Sequence, residues 1–317
     1  MKVAIVYGGY SSEKDASTEN AKYIREALHR KGYDTCMVPY EKDLIRTLRT
    51  LETDIVYVCV QGKGHGDGTI QAILEHEGIP FTGSGSHAAA LINDKIVSKM
   101  FFERMGIPTP KWHILTKEDY TKGLFDGRAF GYPFVAKAPS EGGSFGIALI
   151  CNENELDKIE DVFTYETTIL IEKFVSGDFY TIGILGHEEK QELLPCVQGI
   201  ELLEEKEHDD PDHLKVFTGD YTAKPARLSG PLLDEMTQMS TTIFCGIGAE
   251  DVARIDFMVS REDKKPYVLE INAVPGLKPK SLLPRAAEIA GIAYDDLIEG
   301  ILLEAWKRWE QRRSKSC

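Results

Sequence analysis

The sequence predicts an α/β protein of more than one domain. Three observations carry that prediction. Strand and helical periods alternate through the first 90 residues. Beyond residue 132 the rhythm changes to paired strand runs joined by a glycine-rich loop. The chain's 317 residues also suggest about two units of roughly 150 residues each.

The elements follow in order. Residues 3–7 are an apolar strand run, 17–31 a helical period, 35–38 a second run, 43–51 a second helix and 54–60 a third strand. That βαβαβ order predicts a parallel, doubly wound sheet. Gly8-Gly9 follows the first strand, but there is no GxGxxG and no acidic residue ends the second strand, which argues against a dinucleotide fold. The spacing predicts one long helix over 88–105, stopped by Gly106-Ile107-Pro108 and followed by an extended segment. Runs at 132–138 and 147–151 read as a hairpin closed by loop 139–146. A helix at 154–163 and a strand at 168–174, carrying Glu172-Lys173, come next. Strands at 180–185 and 192–197, a polar stretch at 201–224, a helix at 231–245, strands at 254–259 and 267–271 and two amphipathic helices complete the chain. The last helix carries Trp306 and Trp309 three residues apart, read as core packing.

Composition narrows the function. With 37 basic against 51 acidic side chains the net charge is −14, which disfavours a general nucleic-acid or anionic-membrane binder. Any polyanion must meet a local basic site. The first apolar run is far shorter than the roughly 20 residues of a membrane span and follows no basic signal region, so the chain reads as cytoplasmic. Six scattered cysteines, with no CxxC pair and no histidine at ligand spacing, read as buried free thiols in a reducing compartment.

The chemistry-bearing residues fall in strands and loops. Glu270 and Asn272 lie two apart, as do Arg254 and Asp256, so each pair shares a strand face. If the two strands pair, Asp256, Glu270 and Asn272 converge as oxygen donors suited to magnesium with bound phosphates, and Arg254 lies beside them. A solvated hairpin face with ordinary charge pairs is the plain alternative. Lys137 ends an apolar strand before Ser140-Glu141-Gly142-Gly143-Ser144-Phe145-Gly146, whose freed N–H groups could cradle phosphate oxygens. An ordinary hairpin turn would explain that loop equally well. Lys173 and Lys95 add two further basic positions.

Together these residues resemble the D-alanine–D-alanine ligase family of ATP-grasp enzymes. The resemblance runs from Gly8 to Leu282. It includes Gly8-Gly9 with Ser11 and Glu13, then Gly66-Asp67-Gly68-Thr69-Ile70-Gln71 followed by Ile79-Pro80-Phe81-Thr82-Gly83-Ser84, then Asn93-Asp94-Lys95. It continues through Lys137 with the 141–146 loop, Glu172-Lys173 with Val175, Arg254-Ile255-Asp256, Glu270-Ile271-Asn272, Pro275-Gly276-Leu277 and Ser281-Leu282.

What the resemblance implies is a three-domain ATP-grasp fold: a Rossmann-like N-terminal domain over 1–92, a central subdomain over 93–178 and a C-terminal subdomain over 179–317. Lys95, Lys137 and Lys173 would contact the phosphates or the adenine edge, and the loop with Glu141, Gly142, Gly143 and Ser144 would lie as a lid over the phosphates. Glu172, Lys173, Phe174 and Val175 would take the adenine. Asp256, Glu270 and Asn272 would hold two Mg²⁺, with Mn²⁺ able to substitute. Arg254 and Gly276 would stabilise the oxyanion, Ser281 and Leu282 the second substrate's carboxylate, and Lys224 in the acidic 201–224 loop the γ-phosphate. The implied reaction joins two amino acids through an acyl phosphate, feeding peptidoglycan synthesis, in a homodimer formed through the N-terminal domain.

The family's pattern is broken at clustered positions. Its Glu, Ser and Tyr trio around the first substrate appears as Glu13, Gly143 and Pro225. Gln61 stands where a histidine opens the second signature, and His65 where a glycine is usual. Phe179 replaces the acidic residue that meets the ribose, with Asp178 as a substitute. The expectation is therefore intact chemistry with an altered first-substrate pocket. The alternatives are a paralogous ligase joining a different acid to an amino acid, and a noncatalytic ATP-binding relative.

Overall fold

The first strand, β1 (Lys2–Tyr7), is buried on both faces: Val3 and Ile5 enter one core cluster while Ala4 and Val6 enter another. A strand buried on both sides needs a layer on each side, which is the doubly wound arrangement. In the computed structural model, which describes residues 1–64, 66–143, 145–187, 190–201 and 221–315, α1 (Lys14–Arg30), β2 (Asp34–Pro39), α2 (Leu44–Leu51), β3 (Ile55–Val58) and α3 (Thr69–His76) build that unit. Its sheet runs β2-β1-β3, all parallel.

The expected single helix over 88–105 is two: α4 (Ser86–Asn93) and α5 (Lys95–Arg104). Asp94 leaves the helical region and caps the second helix, its Oδ1 accepting from the N–H groups of Ile96 at 2.9 Å and Val97 at 3.1 Å. A side chain that satisfies two orphan donors makes a new start cheaper than continuation.

A second sheet follows, from β4 (Trp112–Thr116) through the short helices α6 (Lys117–Thr121) and α7 (Gly127–Phe130) to β5 (Phe134–Lys137), β6 (Ile147–Ile150), α8 (Lys158–Val162) and β7 (Thr168–Lys173). Its antiparallel order is β4-β7-β5-β6. Phe134, Ala136, Ile169 and Ile171 fill its outer core.

The third sheet holds β8 (Gly177–Gly186), β9 (Glu192–Leu193), β10 (Val197–Glu201), β11 (Tyr221–Pro225), then, after helix α9 (Gly230–Ile247), β12 (Asp251–Ser260) and β13 (Pro266–Asn272). The order is β11-β10-β8-β12-β13, with β9 also on β8. The run expected at 192–197 thus breaks into β9 and the start of β10. Helices α10 (Leu282–Ile289) and α11 (Tyr294–Lys315) close the chain. As expected for core packing, Trp309 packs edge-on against Phe81 at 5.6 Å.

Buried Arg308 on α11 ties the N-terminal unit to the third sheet. It donates to Asp251 at 3.0 and 2.8 Å and to the carbonyls of Phe81 and Gly83, and its other terminal nitrogen lies 3.2 Å from Glu250. Among the described cysteines Cys59 and Cys196 are buried thiols, whereas Cys245 is exposed. No described helix is long and apolar enough to cross a membrane.

Candidate active site

The centre of the site is the ladder between β12 and β13, where Arg254 pairs with Asn272 and Asp256 with Glu270. The period of two brings Arg254, Asp256 and Thr181 of β8 to one face. Asp256 is 2% exposed and accepts four hydrogen bonds: from Arg254 Nε at 2.9 Å and Nη2 at 2.6 Å, Thr181 Oγ1 at 2.6 Å and Asn272 Nδ2 at 3.1 Å. Glu270 lies 3.7 Å from Lys95 Nζ. Burial would raise its carboxyl, but the charges of Lys95, Lys137 and Arg254 and a hydrogen bond from Asn272 outweigh that and hold it below the usual range.

The opposite wall is the inner face of the second sheet. Val135 pairs with Glu172 and Lys137 with Leu170, so Lys137 and Glu172 share one face. Glu172 is 2% exposed, and one of its oxygens lies 3.2 Å from Lys137 Nζ and 3.1 Å from Lys99 Nζ. Burial works against this charge, but the two lysines keep its carboxyl below the ordinary value. Lys99 was not anticipated from sequence. In the helix it stands between Ser98 and Met100 and reads as one more solvated lysine, and only its docking against Glu172 and Thr109 buries it.

A third element closes the floor. Lys95 begins α5 with its N–H donating to the Pro139 carbonyl at 3.1 Å and its Nζ to the Glu141 carbonyl at 2.6 Å, so the helix start grips the glycine loop. Ser12 Oγ donates to Glu141 Oε2 at 2.5 Å from the other side. Glu13 is packed beneath Gly142. Its carboxyl is pushed up to about 7, mainly by burial, with nearby Glu270 and Glu141 adding to the rise and Lys95 and Arg254 opposing it. Ser11 Oγ donates to the Gln61 carbonyl at 2.8 Å, and Gln61 Nε2 donates to the Val274 carbonyl, joining this loop to the end of β13. There Gly276 faces Ser281, whose N–H donates to the Lys278 carbonyl at 2.8 Å at the start of α10.

These walls enclose a cleft of about 1090 Å³. It is lined by Glu13, Lys95, Lys137, Glu141, Gly142, Gly143, Arg254, Asp256, Glu270, Asn272, Gly276 and Ser281, and by the run from Glu172 to Val175. Two expected positions stand apart. Asp178 is half-exposed and pairs with Arg261 at 2.9 Å. It sits opposite Val259 in the register, on the face turned from the cleft, because neighbouring strand residues point to opposite sides. Phe179, one position on, lines the cleft instead. Lys224 is exposed on β11 outside the lining. Ser144 and His65, like most of the acidic loop (202–220), lie outside the described residues. Lys173 lines the cleft, yet its ammonium donates to the carbonyls of Gly131 at 3.1 Å and Tyr132 at 2.9 Å.

No group of three His, Cys, Asp or Glu side chains gathers for a metal among the described residues. Two carboxylates and the amide oxygen of Asn272 nevertheless fit a hard divalent ion. All three are oxygen donors on adjacent strands, and three cationic side chains now offset the negative charge a metal would meet there.

The sequence and the fold each have relatives. Residues 101–303 match a family model described as D-ala D-ala ligase C-terminus. A D-alanine–D-alanine ligase of Halalkalibacterium halodurans is 32% identical over 300 residues, covering 94% of this chain and 97% of that protein. Another, from Desulforudis audaxviator, is 30% identical over 97% of this chain and 99% of its own. The solved D-alanine–D-alanine ligase from Bacillus anthracis complexed with ATP superimposes with a TM-score of 0.81 at 27% identity, covering 98% of this chain and 99% of that one.

Proposed function

The chain belongs to the D-alanine–D-alanine ligase family, and on that premise we propose that it is an ATP-dependent ATP-grasp ligase that joins two D-alanines through an acyl phosphate, releasing ADP and phosphate. The observation that carries this reading is the cleft itself. Arg254, Asp256, Glu270 and Asn272 form one wall, Lys137 the other, with Lys95 between them and Glu13 at the amino-terminal side.

The roles follow from position. The backbone from Glu172 to Val175, with the side chains of Phe174 and Val175, takes the adenine, the Glu172 carboxylate being held by Lys99 and Lys137. Lys95, Lys137 and the N–H groups of Gly142 and Gly143 meet the phosphates, concentrating positive charge where negative charge is carried by the transferred phosphoryl group and develops on the leaving ADP. Asp256, Glu270 and Asn272 hold magnesium, two ions on the family pattern, which would offset phosphate charge when bound. Glu13 anchors the first amino acid's ammonium. A carboxylate oxygen of that amino acid attacks the γ-phosphorus and the bond to the β-phosphate oxygen breaks, leaving ADP. The free amine of the second amino acid, held by Ser281 and the start of α10, then attacks the activated carbonyl. Arg254 and the Gly276 N–H stabilise the oxyanion, phosphate leaves with the former carboxylate oxygen and the amine loses its proton. These assignments extend to the homodimer, peptidoglycan synthesis in the cytoplasm and the γ-phosphate contact of Lys224 that the family pattern suggests.

A second reading is favoured by the surroundings of Glu13. Glycines 62, 142 and 143 border it, with no hydroxyl at 143, so a first substrate's ammonium would find fewer hydrogen-bonding partners there than the family pattern supplies. ATP-dependent phosphate release, measured with single and paired D- and L-amino acids, separates the readings. Release with D-alanine supports the ligase joining two D-alanines. Release only with another acid supports the paralogous ligase, and no release despite ATP binding contradicts both.

A further inference from the structure

Two ammonium groups share one oxygen of a buried carboxylate. Lys99 Nζ lies 3.1 Å and Lys137 Nζ 3.2 Å from Glu172 Oε2. The two lysines differ in every other respect. Lys137 lines the cleft. Lys99 is 1% exposed, lies behind Glu172 and donates to Thr109 Oγ1 at 2.6 Å, which in turn donates to the Val268 carbonyl on β13 at 2.8 Å. Lys99 therefore has no route to a ligand, and the phosphates are not its business.

A buried carboxylate left without a counter-charge is costly, and that cost normally locks a single partner in place. With one lysine only, Lys137 would be bound to Glu172 and could not move to a phosphate without stranding it. With two, Glu172 can release the outer lysine and stay compensated by the inner one. Repulsion between the two ammonium groups also biases Lys137 outward, toward the cleft.

We propose that Lys99 is a positioning residue for nucleotide binding: the standing counter-charge of Glu172 that leaves Lys137 free to engage the phosphates of ATP. The proposal rests on the assignment of Lys137 to those phosphates, and Thr109 holds Lys99 to its task by fixing it against β13.

The test is the affinity of Mg-ATP for the full-length protein, measured by calorimetry on variants whose folding is checked by thermal melting. Lys137→Met should weaken binding at least tenfold. If it does not, the phosphate assignment of Lys137 fails, and the proposal with it. Lys99→Met, neutral and similar in length, should also weaken ATP at least tenfold, because Lys137 is then captive. Adding Glu172→Gln to Lys99→Met removes the stranded charge and should bring affinity back to within about fivefold of the wild type. Lys99→Arg, which keeps the charge, should stay within about threefold. A merely structural role predicts that the double variant is no better than Lys99→Met. If the double variant binds ATP as weakly as Lys99→Met, or if Lys99→Met binds within twofold of the wild type while Lys137→Met does not, the proposal is overturned. Where Lys99→Met does not fold, the double variant alone decides by the same fivefold criterion.

Discussion

The carboxyl group of Glu13 lies directly beneath the backbone of Gly142, so that a Cβ at residue 142 would stand 2.7 Å from the Glu13 carboxyl carbon. A side chain fits at that spacing only if the Glu13 carboxylate moves. Glycine here lets two loops approach with that carboxylate in place, one following β1 and the other joining β5 to β6. The prediction is that Gly142→Ala folds, because the group it meets is the movable end of a side chain, but displaces the Glu13 carboxylate. The KM for the first amino acid should rise about tenfold or more with the melting temperature changed by only a few degrees. Steady-state kinetics in that amino acid at saturating ATP checks this, and an unchanged KM would separate Glu13 from substrate binding.

The same carboxyl gives a pH signature. Glu13 stands at about 7 in the folded chain against an ordinary 4.5, chiefly because it is buried. An acid whose value rises on folding resists ionisation. Its contribution is therefore most favourable below about pH 4.5, is lost as pH climbs toward 7, and levels off above that. Glu13→Gln removes this titration, so the variant should be more stable than the wild type by on the order of 1–3 kcal/mol at pH 8 and about equal to it at pH 4. Denaturant unfolding at both pH values measures the difference. Equal differences at the two would assign the raised value to another group.

How much of this was legible in the sequence depends on how local each signal is. The apolar run of β1 and the two-residue spacings in β12 and β13 are local, and those spacings bring Asp256, Glu270 and Asn272 together once the two strands are paired. The break at Asp94 was missed because the apolar pattern on either side runs on in phase, and only the capping hydrogen bonds separate two helices from one. Asp178 lies outside the cleft lining because a slip of one residue in a strand turns a side chain to the other face. Lys99 and Arg308 were invisible for a different reason. Each meets its counter-charge from a distant part of the chain, Lys99 from Glu172 and Arg308 from Asp251, and no local pattern announces a charge whose compensation arrives from elsewhere.

Arg308 carries a stability prediction. Asp251 is wholly buried, and Arg308 supplies two of its hydrogen bonds while the Gly83 N–H supplies another at 2.8 Å. Arg308→Met leaves that carboxylate uncompensated and should destabilise the protein by about 3–5 kcal/mol. Arg308→Met combined with Asp251→Asn should recover a large part of the loss. Chemical denaturation of both variants tests this, and a loss under 1 kcal/mol would make the junction incidental.

Glu270 carries a catalytic one. Its carboxylate is held ionised among Lys95, Lys137 and Arg254, so Glu270→Gln keeps the shape and removes one donor charge. Turnover should fall at least a hundredfold with the melting temperature nearly unchanged, and raising Mg²⁺ should restore part of the activity. Full activity at ordinary Mg²⁺ would contradict the metal assignment.

The acyl phosphate is the centre of the account, and isotope transfer tests it most directly. D-alanine labelled with ¹⁸O in its carboxylate is incubated with ATP, Mg²⁺ and the protein, and the released phosphate and the peptide product are analysed by mass spectrometry. D-alanyl-D-alanine should form with one ¹⁸O carried into each phosphate, since the oxygen that attacks the γ-phosphorus leaves with it. Dipeptide formed with unlabelled phosphate, or phosphate released with no peptide, would contradict it.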